Sequence, residues 1–485
     1  MPRTLVIGSG PSAWAVLNSL GNLEDVLLID GGAKFSPANL KLGKHLGVKT
    51  KFGSNHAIAV ASDFHVDDQS RDAFPASLSR GGLSEIWGNG FSPYLFSEIS
   101  KELLIDDAAI QKSMREILDL IPSSNLNENS MLARRFKLDS VIGSKNCQEV
   151  IPIHPLFESK LQRIKSQNQK LSTLIDRPFF FLNSSSCTNC GLCMTGCPYG
   201  SLFDAGEKIN TMILQNQILR KNVISGKVIR LERIGEKIKV YYTQNKTSQS
   251  ILVEEVILSC GPLATAILLM NSNLIPNRLE VPDSQVFYFG LVSWKRFKHL
   301  PLIPDLGQLA IIPRDVSRGD FQVALYKPTL MSKNRISESL FGRFSRILKI
   351  PRFVSDRIVP AIGFLPQDKS GVLVLEKDGA QIRLIRKKNH ESNGEIRKII
   401  KEVKPLLREL GFYTPKFSLR IPDPGSGFHL GASLPLGGEI IDMNGRLRNE
   451  QQVRIMDPSL LPTLPAGAHT FLTMSLIRLV MRSEK

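Results

Sequence analysis

Four of the six cysteines fall within eleven residues, in the run Cys187-Thr188-Asn189-Cys190-Gly191-Leu192-Cys193-Met194-Thr195-Gly196-Cys197-Pro198. The spacing is C-x2-C-x2-C-x3-C-P, in which thiolates on a curled loop converge on one iron–sulfur cubane and the proline ends the run. Only one such run exists, so the fourth ligand is either Cys197 or a distant thiol, and a three-iron or a four-iron cluster fits equally. Zinc or free buried thiols are the plainer alternatives, with zinc disfavoured because no histidine lies inside the run. Six cysteines in 485 residues are too few and too unevenly placed for a disulfide framework. Cys147 and Cys260 read as ordinary buried residues.

A second chemistry-bearing pattern opens the chain. Gly8-Ser9-Gly10-Pro11-Ser12-Ala13 is a G-x-G-x-x-A pattern, and Asp30 stands twenty residues after Gly10. Glycines let the backbone turn tightly and approach a pyrophosphate, the helix N-terminus supplies N–H donors, and Asp30 can accept from an adenosine ribose. A tight structural turn is the bland alternative, and the pattern does not choose between FAD and NAD.

The elements around that pattern are the ones it requires. Thr4 to Ile7 is a short apolar strand, Pro11 to Leu20 an apolar helix with proline in its first turn, and Val26 to Ile29 a second strand, together a βαβ unit. Later, Val228 to Leu231 and Lys237 to Tyr242 read as paired strands around Gly235, and Val253 to Leu258 as a buried strand running into a helix from Leu263 to Met270. The uncharged stretch Val256 to Asn277 is long enough to span a bilayer, but Gly261, Pro262, Asn271, Asn273 and Pro276 interrupt it, so it reads as strand, turn and helix. Gly371 to Leu375 and Gln381 to Ile385 flank Asp378-Gly379 as a hairpin. Ile396, Ile399, Ile400, Val403, Leu406, Leu407 and Leu410 recur at helical spacing, with Pro405 expected to kink or restart the helix. Leu300 to Pro313 and Ile421 to Pro424 read as crossings between two domains.

Composition agrees with a soluble globular chain of two or three lobes: 42% of residues are hydrophobic and 22% charged. Lys and Arg number 62 against 45 Asp and Glu, a net charge of +17 that biases the surface toward anionic partners without naming one. Seven basic and two acidic residues fall between Lys333 and Arg357, interleaved with apolar ones. Such a segment suits peripheral membrane contact, guidance of a phosphorylated substrate, or the solvated face of a lid helix. No nucleic-acid-binding motif accompanies it, so nucleic acid is not expected as a partner. Met1-Pro2-Arg3 runs directly into Leu5-Val6-Ile7 without a signal sequence, which points to the cytoplasm.

Three further segments decide the cofactor. Ser79-Arg80-Gly81-Gly82-Leu83-Ser84-Glu85-Ile86-Trp87-Gly88-Asn89-Gly90 is a glycine-rich loop suited to backing onto a large flat ring. With Val256-Ile257-Leu258-Ser259-Cys260-Gly261 and Val453-Arg454-Ile455-Met456-Asp457-Pro458-Ser459, in this order, it resembles the glucose-methanol-choline family of FAD oxidoreductases. The resemblance covers about the first ninety residues, roughly 180 to 275, and 425 to 480, and is loose elsewhere. It implies an α/β fold: a Rossmann-like FAD-binding domain assembled from N-terminal, middle and C-terminal segments, plus an α+β substrate domain with an antiparallel sheet. The implied boundaries are 1–95, 207–280 and 425–485 for the FAD domain, 96–180 for a substrate or cap segment, 181–206 for the cysteine-rich loop and 281–424 for the substrate domain.

The resemblance also implies site residues. FAD would meet Gly8, Gly10, Ala13, Asp30, Gly81, Gly82, Ser84, Trp87, Gly261 and Asp457, with Asp457 reaching the ribityl chain. His429, in Phe428-His429-Leu430-Gly431-Ala432, and His469, in Gly467-Ala468-His469-Thr470, match the pair that in the family faces the flavin beside the substrate carbon. A neutral imidazole can take a hydroxyl proton while its partner holds the oxygen, and hydride passes to flavin N5. Both could instead be structural, and Thr470 stands where the family commonly has proline. Ile86 occupies the position that some relatives use for covalent attachment, so the flavin is expected to be noncovalent. Sugar dehydrogenases of this class carry an iron–sulfur cluster in a comparable loop. The expectation is therefore a dehydrogenase that oxidises a hydroxyl group on a sugar or other alcohol, with Cys187, Cys190, Cys193 and Cys197 holding a cluster that relays electrons to an acceptor protein. An oxygen-using alcohol oxidase without a cluster, or a flavin-bound lyase, are the alternatives.

Overall fold

The computed structural model describes residues 3–31, 59–70, 74–91, 102–135, 138, 142, 147–148, 150–167, 172–191, 193, 197, 199–297, 302–315, 321–328, 356–415 and 418–483. The expectations attached to the basic stretch fall on 333–355, outside the described residues.

Thr4–Ile7, Val26–Asp30 and Glu255–Leu258 are short β-branched and leucine-rich runs with almost every residue buried. Strands buried on both faces suit a parallel sheet covered on each side. They form the centre of a six-stranded sheet in the order Arg446–Leu447, Glu450–Ile455, Glu255–Leu258, Thr4–Ile7, Val26–Asp30, Val223–Ser225. All pairs are parallel except the antiparallel Arg446–Leu447 edge, and Thr4 stands opposite both Val26 and Glu255. Three stretches far apart in sequence thus build one sheet, the architecture that the resemblance implied.

Helices cover it. Pro11–Ser19 and Pro262–Asn271 each begin with proline after a glycine N-cap, and the second is apolar nearly all round because it is buried all round. Each fully buried Leu or Ile there contributes roughly 1.5–3 kcal/mol. The C-terminal helix Thr470–Arg482 packs against Pro11–Ser19 and against Asp107–Leu120. A half-buried ion pair ties all three: Arg478 donates to Glu116 at 2.6 Å and to the Asn18 carbonyl at 3.3 Å. Burial raises the pKa of the Glu116 carboxyl, but Arg478 and Arg482 outweigh it and leave the group below its usual range. The expected cap segment 96–180 is therefore split. Asp107–Leu120 belongs to this core, while Pro155–Gln167 packs Phe157, Leu161 and Ile164 on the other one.

The second core lies on a six-stranded antiparallel sheet, Phe412–Tyr413, Val286–Ser293, Ile358–Phe364, Gln322–Tyr326, Gly307–Pro313, Thr173–Asp176. Gly307–Pro313 is a fully buried strand of it, so Leu300 to Pro313 is not simply a crossing; proline is accommodated at the strand's end. The helix Ser392–Glu409 runs through Pro405 without a break. Ile396, Ile399, Val403, Leu406 and Leu407 bury on both sides of that proline, and their packing outweighs the lost backbone bond.

Two other sheets differ from expectation in detail. The paired strands extend to Lys227–Ile234 and Lys237–Gln244 and gain a third partner, Thr247–Val253, so Val253 ends one strand and Glu255 begins another. The hairpin Val372–Asp378 with Gln381–Lys387 forms, but Leu373, Leu375, Ile382 and Leu384 pack into the first core, away from the antiparallel sheet with which it was grouped. No helix among the described residues is long and apolar enough to cross a membrane.

Candidate active site

A cavity of about 910 Å³ opens at the C-terminal ends of the parallel strands, lined by Gly8, Gly10, Asp30, Gly82, Ser84, Trp87, Gly261, His429 and His469 among others. Open α/β sheets bind ligands at this edge. Gly8 has φ +108°, and a Cβ there would stand 2.4 Å from the Ser259 carbonyl oxygen, so no other residue fits this turn. The N-cap Gly10 offers no side-chain cap, which leaves the first N–H groups of the Pro11–Ser19 helix to face an anion. The Ser9 hydroxyl accepts from the Gly81 N–H at 2.9 Å and locks the two glycine turns together. Ser84 closes the second turn by donating to the Gly81 carbonyl.

Asp30 is buried. Its Oδ2 accepts from Arg80 Nε at 3.2 Å, while Oδ1 has no partner. A buried acceptor without a donor is costly unless a ligand supplies one, and a ribose hydroxyl fits. The residues present therefore suit a dinucleotide. Arg80, not foreseen as a site residue, also binds Asn210 at 2.8 Å and thereby orients that carboxylate. Ala13, Gly81 and Asp457 do not line the cavity. Ala13 is fully buried, its small side chain allowing the helix to pack closely on the sheet. Asp457 is fully buried as well, accepting from Thr265 Oγ1 at 2.5 Å and from the Ser459 N–H at 2.9 Å, so it braces the Gly261 turn from below. Burial raises the pKa of this carboxyl, and those hydrogen bonds oppose the rise. Cys260, read as an ordinary buried residue, lines the cavity with its thiol 3.3 Å from Thr265 Oγ1; burial pushes it up to about 12, which keeps it unreactive.

His429 and His469 come together from loops forty residues apart. Their ring centroids are 5.8 Å apart and the rings nearly perpendicular, and Phe364 lies against His429 at 5.0 Å. Neither Nδ1 has a hydrogen-bond partner. Burial, with His469 adding to it, pushes His429 down to about 3; burial pushes His469 down to about 4 against backbone contacts with Leu430 and Gly467. Both imidazoles are neutral at cellular pH and keep a basic lone pair. Phe428, immediately before His429, has φ +60°, a strained backbone of the kind that functional loops retain. Ser284 joins the two loops. Its N–H donates to the His429 carbonyl at 3.0 Å, and its Oγ accepts from the Gly467 N–H at 3.1 Å. No sequence signal marks Ser284, because its role exists only once the loops meet.

The cysteine loop leaves and returns through a short pairing. Leu182 bridges Leu202 and the Phe203 N–H donates to the Phe181 carbonyl at 3.1 Å. Trp87 of the cavity wall donates its indole N–H to the Phe203 carbonyl at 3.3 Å and lies 6.1 Å from the Phe181 ring, so the loop's base stands directly on that wall. Aromatic residues flanking a cysteine run were the available signal. Cys193 is buried with Ile151, Phe180, Leu182, Leu202 and Leu306, and Cys187 and Cys197 pack against the same group. Cys187 lies within electrostatic reach of Cys190 and Cys197, and Cys193 of Cys187 and Cys197. Burial pushes the Cys193 thiol up to about 12. Among the described residues, no three His, Cys, Asp or Glu side chains are placed to hold a single metal ion. A cubane asks for something else, since each thiolate binds a separate iron. Backbone N–H groups already point at two sulfurs: Asp305 at Cys193 and Ser201 at Cys197, both 3.3 Å. Such donors stabilise cluster thiolates, so the donor set suits an iron–sulfur group.

The family described as a 4Fe-4S binding domain matches residues 180–203. No curated protein matches the chain. Among solved structures, pyridoxine 4-oxidase from Mesorbium loti is similar with a TM-score of 0.65 at 14% identity, covering 100% of this chain and 99% of that one. The chain thus has the fold of that oxidase, and the base of the segment that the 4Fe-4S family matches stands against the cavity wall.

Proposed function

We propose that the chain is a cytoplasmic, FAD-dependent oxidoreductase of the glucose-methanol-choline kind that oxidises the hydroxyl of a small alcohol or sugar and sends the electrons through an iron–sulfur cluster to an acceptor protein. One observation carries it: a half-buried His429 and a buried His469, both neutral, meet in the same cavity as the dinucleotide turn and the unpartnered Asp30 Oδ1. Gly8, Gly10 and the helix N-terminus would hold a pyrophosphate, Asp30 a ribose hydroxyl, and the Gly81–Trp87 loop the ring, with Asp457 bracing the turn beneath. A bound flavin supplies a two-electron acceptor for hydride, and a cluster on the four cysteines a one-electron route onward. His429 takes the hydroxyl proton at a ring nitrogen, and His469 holds the oxygen in place. Phe364 packs against the His429 ring, and Ser284 sets the distance between the two loops.

A second reading keeps the flavin and uses oxygen directly. It is favoured by the similar solved structure, which by its name is an oxidase acting on pyridoxine. Visible and electron paramagnetic spectra of anaerobically purified protein test the main reading. Flavin bands should be joined by a broad absorption near the blue and by a paramagnetic signal on reduction with dithionite. Protein that is colourless after purification and takes up no added FAD would sink it.

A further inference from the structure

Lys327 is a buried lysine that, among the described residues, hydrogen-bonds to no carboxylate. It directly follows the strand Gln322–Tyr326 and is 6% exposed. Its Nζ donates to the Ile303 carbonyl at 3.0 Å, which among the described residues is its hydrogen-bond acceptor. The Asp305 carboxylate and the Cys193 thiol lie within electrostatic reach of it, and neither hydrogen-bonds to it. Lysine is almost never buried unless paired, and an uncompensated buried charge is strongly destabilising.

The segment that Lys327 holds lies over the cysteine loop. The Ile303 carbonyl is 3.8 Å from where a Cβ on Gly191 would stand, the Asp305 N–H donates to Cys193 Sγ at 3.3 Å, and Leu306 packs beside Cys193. Tyr326, one residue earlier, lies within electrostatic reach of both Asp305 and Tyr288 of the cavity wall. The end of this strand therefore reaches both the thiols and the cavity.

Four thiolates around an iron–sulfur core carry a net negative charge, and each added electron enlarges it. We propose that Lys327 is the counter-charge of a cluster held by the cysteine loop and raises its reduction potential, so that it accepts electrons from the cavity side. The proposal rests on the reading of the loop as a cluster site. One electron is added in this step and no bond is made or broken. Lys327 touches no substrate; it is a positioning residue that acts through charge.

The test is a paramagnetic-resonance redox titration of full-length, anaerobically purified protein, with dithionite as reductant and iron and sulfide assayed beforehand. Lys327→Met should disfavour reduction about tenfold, a shift of about 59 mV to more negative potential for a one-electron couple. Lys327→Arg, which keeps the charge, should stay near wild type. Equal potentials in wild type and Lys327→Met at full iron content overturn the proposal and leave the cluster reading standing. Loss of iron from both variants also overturns it, since packing alone would then explain the residue. Loss from Lys327→Met alone, with Lys327→Arg intact in iron and potential, supports it. Wild type free of iron and sulfide overturns the cluster reading and the proposal together.

Discussion

Burial decides what the two candidate catalytic histidines can do. An exposed imidazole is half protonated near its ordinary pKa of about 6.5, whereas His429 at about 3 and His469 at about 4 stay neutral across the physiological range. For an alcohol substrate, kcat/KM should therefore hold level on the acid side from about pH 8 to about pH 5, where an ordinary histidine base would already have lost most of its activity. An acid limb centred near the ordinary value would contradict the assignment. Stability carries the same sign. Both folded-state values lie below the unfolded one, so the unfolded chain binds protons first, and the stability present above about pH 6.5 is lost as pH falls toward about 4. Replacing His429 by Ala should cost about 10² to 10⁴ in rate at unchanged flavin content, measured by steady-state turnover beside a flavin assay. Full activity in that variant would remove His429 from the mechanism. The pair was visible in the sequence only through its motif positions. The orphaned Asp30 Oδ1 and its Arg80 partner were half visible, since the acid was expected and the arginine was not.

At the level of elements, the sequence was most informative where the requirement is local. Thr4–Ile7 forms over the expected residues, and the Pro11 helix follows it, because a buried apolar run, a glycine turn and a first-turn proline each act within a few residues. It was least informative where distant strands compete. Gly307–Pro313 looks like a proline-bounded linker until Gln322–Tyr326 and Thr173–Asp176 pair with it from either side. The hairpin at Asp378-Gly379 was legible, but which core it would serve was not, because the alternation of its residues says only that one face is buried. Ser284 belongs to this level too, since it fastens the His429 loop to the His469 loop. Ser284→Ala leaves the buried Gly467 N–H without an acceptor, at a cost of about 1–3 kcal/mol measurable by denaturant titration. The same variant should lower kcat by less than His429→Ala does, because it loosens the pair without removing either ring. A variant with wild-type stability and wild-type kcat would mean that the loops hold their positions without this residue.

Taken as a whole, the molecule brings the glycine turn, the histidine pair and the base of the cysteine loop to one cavity wall. Three separated sequence segments converge on the parallel sheet and carry the dinucleotide turn to the cavity, and the loop of residues 180–203 returns to the same place through Phe181, Phe203 and Trp87. If the flavin is held only by these noncovalent contacts, acid or heat denaturation should release all of the yellow colour into the supernatant as FAD; flavin remaining on the polypeptide would refute that. The paired placement matters because a flavin takes two electrons at once, whereas an iron–sulfur cluster passes them singly, so a cluster beside the cavity is useful chiefly when the final acceptor is a one-electron carrier. On the proposed reading, the contact of Phe181 and Phe203 at the base of the cysteine loop with Trp87 would give electrons a short way out of the cavity. Turnover with oxygen should accordingly be slow and turnover with an artificial one-electron acceptor faster. Cys193→Ser removes the most deeply buried thiol of the run and should depress the second rate while leaving the first nearly unchanged. Stopped-flow reoxidation of substrate-reduced wild type and Cys193→Ser, with each acceptor in turn, measures both. Rapid reoxidation by oxygen, indifferent to the loss of Cys193, would favour the oxidase reading and reduce the cysteine loop to a structural excursion from the wall.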